Sequence, residues 1–135
     1  MLLEIGARMG GSGTVHYLVQ TATGIDFLGA VLRQAIHGEP PQLSPDRSRF
    51  AADWIVPVAG SGTYAGLVGA DDVRQHQATR LLLELMNPGT DVPPWPRFVG
   101  YPAFVLSEHA SYEDCHAYHA WLADTIRIAW ADTAG

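Results

Sequence analysis

The sequence predicts one α+β domain of mostly antiparallel strands with helices packed on one side, and three observations lead there. Apolar residues make up 47% of the 135 and charged residues 16%, a globular balance and not a disordered one. Short apolar runs of strand length alternate with turns rich in glycine and proline. Three longer stretches carry apolar residues at helical spacing. At this length one compact domain is expected, burying roughly two-thirds of the surface its unfolded chain exposes.

The elements follow in order. Met1 to Ala7 reads as a strand whose apolar Leu2, Leu3 and Ile5 surround a single acid, Glu4. Met9 to Thr14 is a glycine-rich turn ahead of a helix over Val15 to Ala22, which Thr23-Gly24 ends. Asp26 is placed to cap a second helix reaching His37, with Phe27, Val31, Leu32, Ala35 and Ile36 at helical spacing and Gly38 as its stop. Glu39 to Arg49, with three prolines, is a loop. Phe50 to Ala59 and Thr63 to Val68 read as strands joined by a Gly60-Ser61-Gly62 hairpin turn. Asp71-Asp72 is placed to cap a helical turn, Arg80 to Met86 is an apolar strand, and Phe98 to Leu106 is a further strand after a proline-rich connector. Ser111 and Asp114 open the last helix, along which Cys115, Tyr118, Leu122, Ile126 and Ala129 share a face, with Trp130 on its trailing turn. No internal repeat or linker interrupts the chain.

Charge and composition exclude several functions. A net charge of −6 without a basic cluster argues against nucleic-acid binding through phosphates. All eight cationic residues are arginines, so this chain holds no Schiff-base lysine, P-loop lysine or lysine clamp for ATP. A single cysteine, Cys115, makes no internal disulfide, and no apolar run is long enough to cross a bilayer. With no signal-peptide pattern at the start, the expected location is the cytoplasm.

Chemistry concentrates in the first segment. Glu4 and Arg8 are an even number of residues apart, so on an extended strand they point to the same face. A carboxylate there can hold magnesium, and an arginine fork matches a carboxylate or phosphate. The glycines that follow let backbone approach a ligand at a helix start, where free N–H groups favour an anion. On these grounds alone, a structural ion pair beside a turn remains the competing reading.

This stretch resembles the end of the ATP-grasp core, where carboxylate–amine ligases carry an acid, an apolar residue, an asparagine, a variable residue and an arginine, then glycines. Here the pattern is Glu4, Ile5, Gly6, Ala7 and Arg8, with Met9, Gly10 and Gly11 after it. The similarity continues through Leu18 to Asp26, which resembles the helix and turn beyond that motif. Pro88 to Pro93, Val99-Gly100-Tyr101 and the closing helix resemble the C-terminal antiparallel lobe of amino-acid ligases. The resemblance implies a division of the single domain 1–135 into the end of the ATP-grasp core over 1–38 and the C-terminal lobe over 50–130. It implies that Glu4 ligates a magnesium ion bridging ATP phosphates. Arg8 would be the catalytic residue that holds the substrate carboxylate or its acyl phosphate, and Gly10, Gly11 and Ser12 would line the substrate pocket. Gly6 departs from the pattern where the family has asparagine, which removes one oxygen ligand.

The implied cofactors are ATP and Mg²⁺, not held tightly by this chain alone. The implied partner is the set of ATP-binding lobes, in the same longer chain or another one, with a homodimer as a further possibility if the Leu2-Leu3 strand is an open edge. On this reading the chain is not active by itself. The alternatives are a non-catalytic binding or interaction domain, and a small α+β protein unrelated to ligases.

The remaining signals read as structural. His109, His116 and His119 with Cys115 invite a zinc hypothesis, but Cys115 and His116 diverge by about 100° on a helix. Gly60-Ser61-Gly62-Thr63 has no following helix or lysine, as a phosphate cradle would need. Trp54, Trp95, Trp121 and Trp130 are spread as core and loop anchors.

Overall fold

A computed structural model describes residues 14–38, 40–46 and 49–131. The described chain runs through four helices and six strands: α1 (Val15–Thr23), α2 (Phe27–His37), β1 (Phe50–Ile55), β2 (Gly62–Val68), α3 (Ala70–Gln75), β3 (Thr79–Glu84), β4 (Asp91–Val92), β5 (Ala103–His109), α4 (Tyr112–Thr125) and β6 (Arg127–Trp130). All strand pairings among them are antiparallel, as an α+β class requires. The first expected strand lies outside the described residues.

Helix ends follow the local chemistry. Gly24 and Gly38 close α1 and α2 with left-handed φ of 72° and 71°, which glycine adopts without a Cβ penalty. The Asp26 carboxylate accepts from the Gly29 amide at 2.8 Å and caps α2. Ser111 does the same for α4, accepting from the Asp114 amide at 3.1 Å.

The strands form two sheets, ordered β1-β5-β3 and β4-β2-β6. β1 and β2 are therefore not a hairpin: the chain through Gly60 and Ser61 carries it from one sheet to the other. A hairpin signal specifies a tight turn but not which partners the strands then choose. β5 begins at Ala103, five residues later than the apolar run from Phe98 suggests, and Val99 and Tyr101 stay exposed. Pro102 has no amide to lend a ladder, and regular pairing begins just after it. The last helix stops at Thr125, and Ile126 already has extended backbone. Residues 127–130 form β6 and pair with β2, so Ala129 and Trp130 are strand residues and not a helix face. Apolar residues at 122, 126 and 129 fit helical spacing, but the β-branched Ile126 and Ile128 also suit a strand, and a vacant edge on β2 decides the matter.

Residues of both parities are buried along β5, so both faces of this strand are covered. α4 packs on β1 and β5, and its Tyr118 and Leu122 join Val56, Tyr64, Val73, Val105 and Ile128 in the core. Trp130 folds over the Gly60 turn, and its indole N–H donates to the Ala59 carbonyl at 3.3 Å.

Gly69 joins β2 to α3 at φ 79°, and a Cβ there would overlap the Thr125 carbonyl oxygen. Gly69→Ala should therefore destabilise the chain by more than about 2 kcal/mol. Urea unfolding checks this, and a loss below about 0.5 kcal/mol would contradict the close approach of α3 to the end of α4.

Candidate functional site

The residues singled out from sequence, Glu4, Arg8, Gly10, Gly11 and Ser12, lie outside the described residues. What is described is the point where that segment enters the fold. Thr14 is buried at the start of α1, and its hydroxyl donates to the Asp53 carboxylate on β1 at 3.4 Å. Its carbonyl accepts from the Leu18 amide at 3.0 Å, the first turn of α1. Thr14 makes no side-chain cap on this helix: its backbone is already helical, at φ −92° and ψ −25°, where a capping residue is normally extended. α1 lies against β1 and touches β5, so the start of the helix is fixed to the central sheet.

The turn after α1 is closed on itself. The Thr23 hydroxyl donates to the Val19 carbonyl at 2.6 Å and accepts from the Ile25 amide at 3.3 Å. The Thr23 carbonyl accepts from the Asp46 amide at 2.8 Å, which ties the proline loop to the same turn. Beside it lies a cleft of about 310 Å³ lined by Gln20, Thr21, Asp46, Arg49 and Glu108.

Glu108 also borders a second, larger cleft of about 630 Å³, with His76, Arg80, His109, Tyr118 and Trp121. Two arginines hold its carboxylate. Arg49 donates from Nη1 to Oε1 at 2.7 Å, and Arg80 from Nε to Oε2 at 2.9 Å. β1 and β3 flank β5 and bring the two cations together. The pairing of β3 with β5 shifts between Thr79 and Leu81, leaving Arg80 as the extra residue of a bulge. Such a bulge re-aims a side chain, here onto Glu108. The hydrogen bond from Arg80, followed by that from Arg49, holds the Glu108 carboxyl below the usual glutamate range.

The floor of the larger cleft is aromatic. His76 packs on Tyr118 and Trp121 at ring distances of 4.7 and 4.6 Å, and Tyr118 stacks on Trp121 at 5.5 Å. The Tyr118 hydroxyl meets Thr79 Oγ1, which itself donates to the Val73 carbonyl. Because that hydroxyl proton goes to Val73, Tyr118 donates to Thr79. His109 Nε2 lies 2.9 Å from Ser107 Oγ, whose proton is directed at the Ala52 carbonyl, so the imidazole proton sits on Nε2.

The histidines are spread over separate surroundings. His109 is engaged with Ser107, His116 lies beside Tyr112, and His119 packs near Tyr118 with its Nε2 buried and without a hydrogen-bond partner. Among the described residues no three His, Cys, Asp or Glu side chains gather as a metal would need. Cys115 is half-buried, and burial pushes its thiol up, away from thiolate character. Sequence reasoning did not find Asp53, Arg49, Arg80 or Glu108, because each acquires its partner only when distant strands pair.

Burial lowers the pKa of both His109 and His119, with nearby cationic groups adding to it and Asp114 and Asp53, respectively, opposing it. Depressed folded values mean that the unfolded chain takes up these protons first. Their contribution is present above the ordinary value of 6.5 and is lost as pH falls below it through the folded values. Denaturant unfolding at a series of pH values should show stability falling below pH ~6.5, and replacing both histidines by glutamine should flatten that limb. A limb unchanged by the double substitution would contradict neutral burial.

Comparison with solved structures finds an L-amino acid ligase from Bacillus licheniformis, at 38% identity and a TM-score of 0.84. The match covers 94% of this chain and 32% of that one. A phosphoribosylglycinamide synthetase from Anaerococcus prevotii matches in fold, with 13% identity, a TM-score of 0.66, and coverage of 90% of this chain and 31% of the other. The chain thus spans about a third of the length of the solved structures it matches. Comparison with protein-family models finds no match, and neither does comparison with curated proteins. Among the described residues no helix is long and apolar enough to cross a membrane.

Proposed function

We propose that this chain, which is a portion of the ATP-grasp ligase fold, supplies the carboxylate side of an ATP-dependent carboxylate–amine ligase. The observation that carries this reading is the identity of 38% to an L-amino acid ligase over 94% of the chain. The Glu4-Ile5-Gly6-Ala7-Arg8 segment and its glycine turn support it, since they run directly into α1.

The division of labour follows from charge. Transfer of the ATP γ-phosphoryl group to a carboxylate oxygen breaks the β–γ phosphoanhydride and releases ADP, leaving an acyl phosphate. An amine then forms the C–N bond, the C–O bond to phosphate breaks, inorganic phosphate departs, and the nitrogen's proton passes to water. Every anion in this sequence must approach another, so the site needs fixed positive charge and aimed N–H groups. Magnesium, when bound, neutralises phosphate oxygens, and Glu4 is the residue of this chain that would hold it. Arg8 would grip the carboxylate and later the acyl phosphate with its planar fork. Gly10, Gly11 and Ser12 would bring backbone close to the substrate. α1 is pinned at Thr14, whose side chain makes no cap on it, and the glycine loop would approach its first amide groups.

A lone carboxylate without further acidic ligands binds magnesium weakly, and this chain holds no lysine to clamp ATP. The chain therefore works with ATP-binding lobes, on the same polypeptide or a partner, and is inactive alone. A cytoplasmic setting agrees with its single free cysteine.

Assembled with ATP-binding lobes, the chain should release ADP and phosphate in step with amide formation, and hydroxylamine should divert the acyl phosphate to a hydroxamate. Arg8→Ala should lower turnover at least about a hundredfold with an unchanged melting temperature. Turnover that survives Arg8→Ala, or amide formation by the isolated chain, would contradict the proposal.

A further inference from the structure

α2 is apolar on two sides, and only one of them meets the fold. Ala30 is its fully buried residue, with Phe27 and Val31 half-buried beside it. Every residue from Leu32 to Gly38 is exposed. At about 100° per residue, Leu28, Leu32, Ala35 and Ile36 fall within an arc of roughly 100° turned away from Ala30. Leu32 is 52% exposed and Ile36 73%. The loop around Leu43 runs along another edge of the helix, by Ala30 and Arg33, and leaves this stripe open.

An isolated helix of this length is marginal in water, and its stability comes from packing an apolar face. The outer half of α2 nonetheless carries three large aliphatic side chains and no carboxylate between Phe27 and His37. Solvated helix faces carry mixed charges instead. A continuous stripe of this kind marks a contact surface.

We infer that the Leu28–Leu32–Ile36 face of α2 is the docking surface for the ATP-binding lobes, an occupant that rests on the ligase reading above. The match to the L-amino acid ligase supplies the argument for this occupant. This chain is built like 32% of that enzyme, so about twice as much polypeptide belongs beside the same fold. The stripe would be the apolar centre of that interface, with Arg33 towards its rim.

The test uses this chain and, as probe, the two-thirds of the Bacillus licheniformis enzyme outside the match, both as separate proteins and as a fusion. Calorimetry and sedimentation should show a 1:1 complex of the separate pieces. Leu32→Glu with Ile36→Glu should weaken it at least about a hundredfold, with circular dichroism and melting of the isolated chain unchanged. The milder pair Leu32→Gln with Ile36→Gln should weaken it at least about tenfold and covers the case in which the glutamates disturb folding. Arg8→Ala should leave the complex intact. Equal binding by wild type and both double variants would overturn the docking face. So would failure of the pieces to associate, or self-association of this chain through α2 in place of the complex. Turnover by the wild-type fusion judges the ligase reading separately: a fusion that works while the α2 variants bind and turn over normally removes the surface and leaves the function.

Discussion

The buried start of α1 against β1 is the constraint on which the functional account depends. Thr14 is nearly excluded from solvent, and its hydroxyl reaches Asp53 at the centre of β1. The Thr14 backbone is already helical, at φ −92° and ψ −25°, and its side chain makes no cap on α1. β1 in turn is fixed along its whole length to β5. The glycine-rich segment therefore enters the fold at a place set by the sheet, which is what a ligand-holding loop on a rigid scaffold needs.

β5 extends the same order across the molecule. It is buried on both faces, pairs with β1 and β3, and leads through Ser111 into α4. α4 delivers Ile126 and Ile128 to the core and β6 to the edge of β2, so one continuous segment joins both sheets. The Arg49–Glu108–Arg80 cluster is a consequence of this arrangement. Neither arginine is near Glu108 in sequence, and the β3 bulge turns Arg80 to it. The Arg49–Glu108–Arg80 cluster stands between the two clefts, which Asp46 and Asp114 also line.

Much of this was legible from residues with a local preference. Asp26, Gly24, Gly38 and Ser111 cap or close the helices where their side chains, or lack of one, dictate. The antiparallel α+β class follows from short apolar runs separated by turn residues. Partner choice was not legible. Gly60-Ser61-Gly62 signals a turn but carries no information that β1 and β2 join different sheets. Ile126 to Trp130 fits a helical period as well as a strand, and only the free edge of β2 resolves it. On α2 the spacing of Leu32, Ala35 and Ile36 gave the helix correctly but not which face the fold covers. The motif proposed to carry the chemistry was visible only through family resemblance, since an acid, an arginine and a glycine turn recur widely without a catalytic role.

The central claim is that Glu4 and Arg8 form half of a metal-and-anion pocket completed by ATP-binding lobes. Its most direct test is anomalous diffraction from the assembled ligase, crystallised with manganese in place of magnesium, ADP and a phosphorylated phosphinate mimic of the acyl phosphate. The account predicts a manganese peak at about 2.1 Å from the Glu4 carboxylate, with the Arg8 guanidinium on the transferred phosphoryl group. A metal and phosphoryl group seated in the site with Glu4 and Arg8 both turned away from them would contradict it.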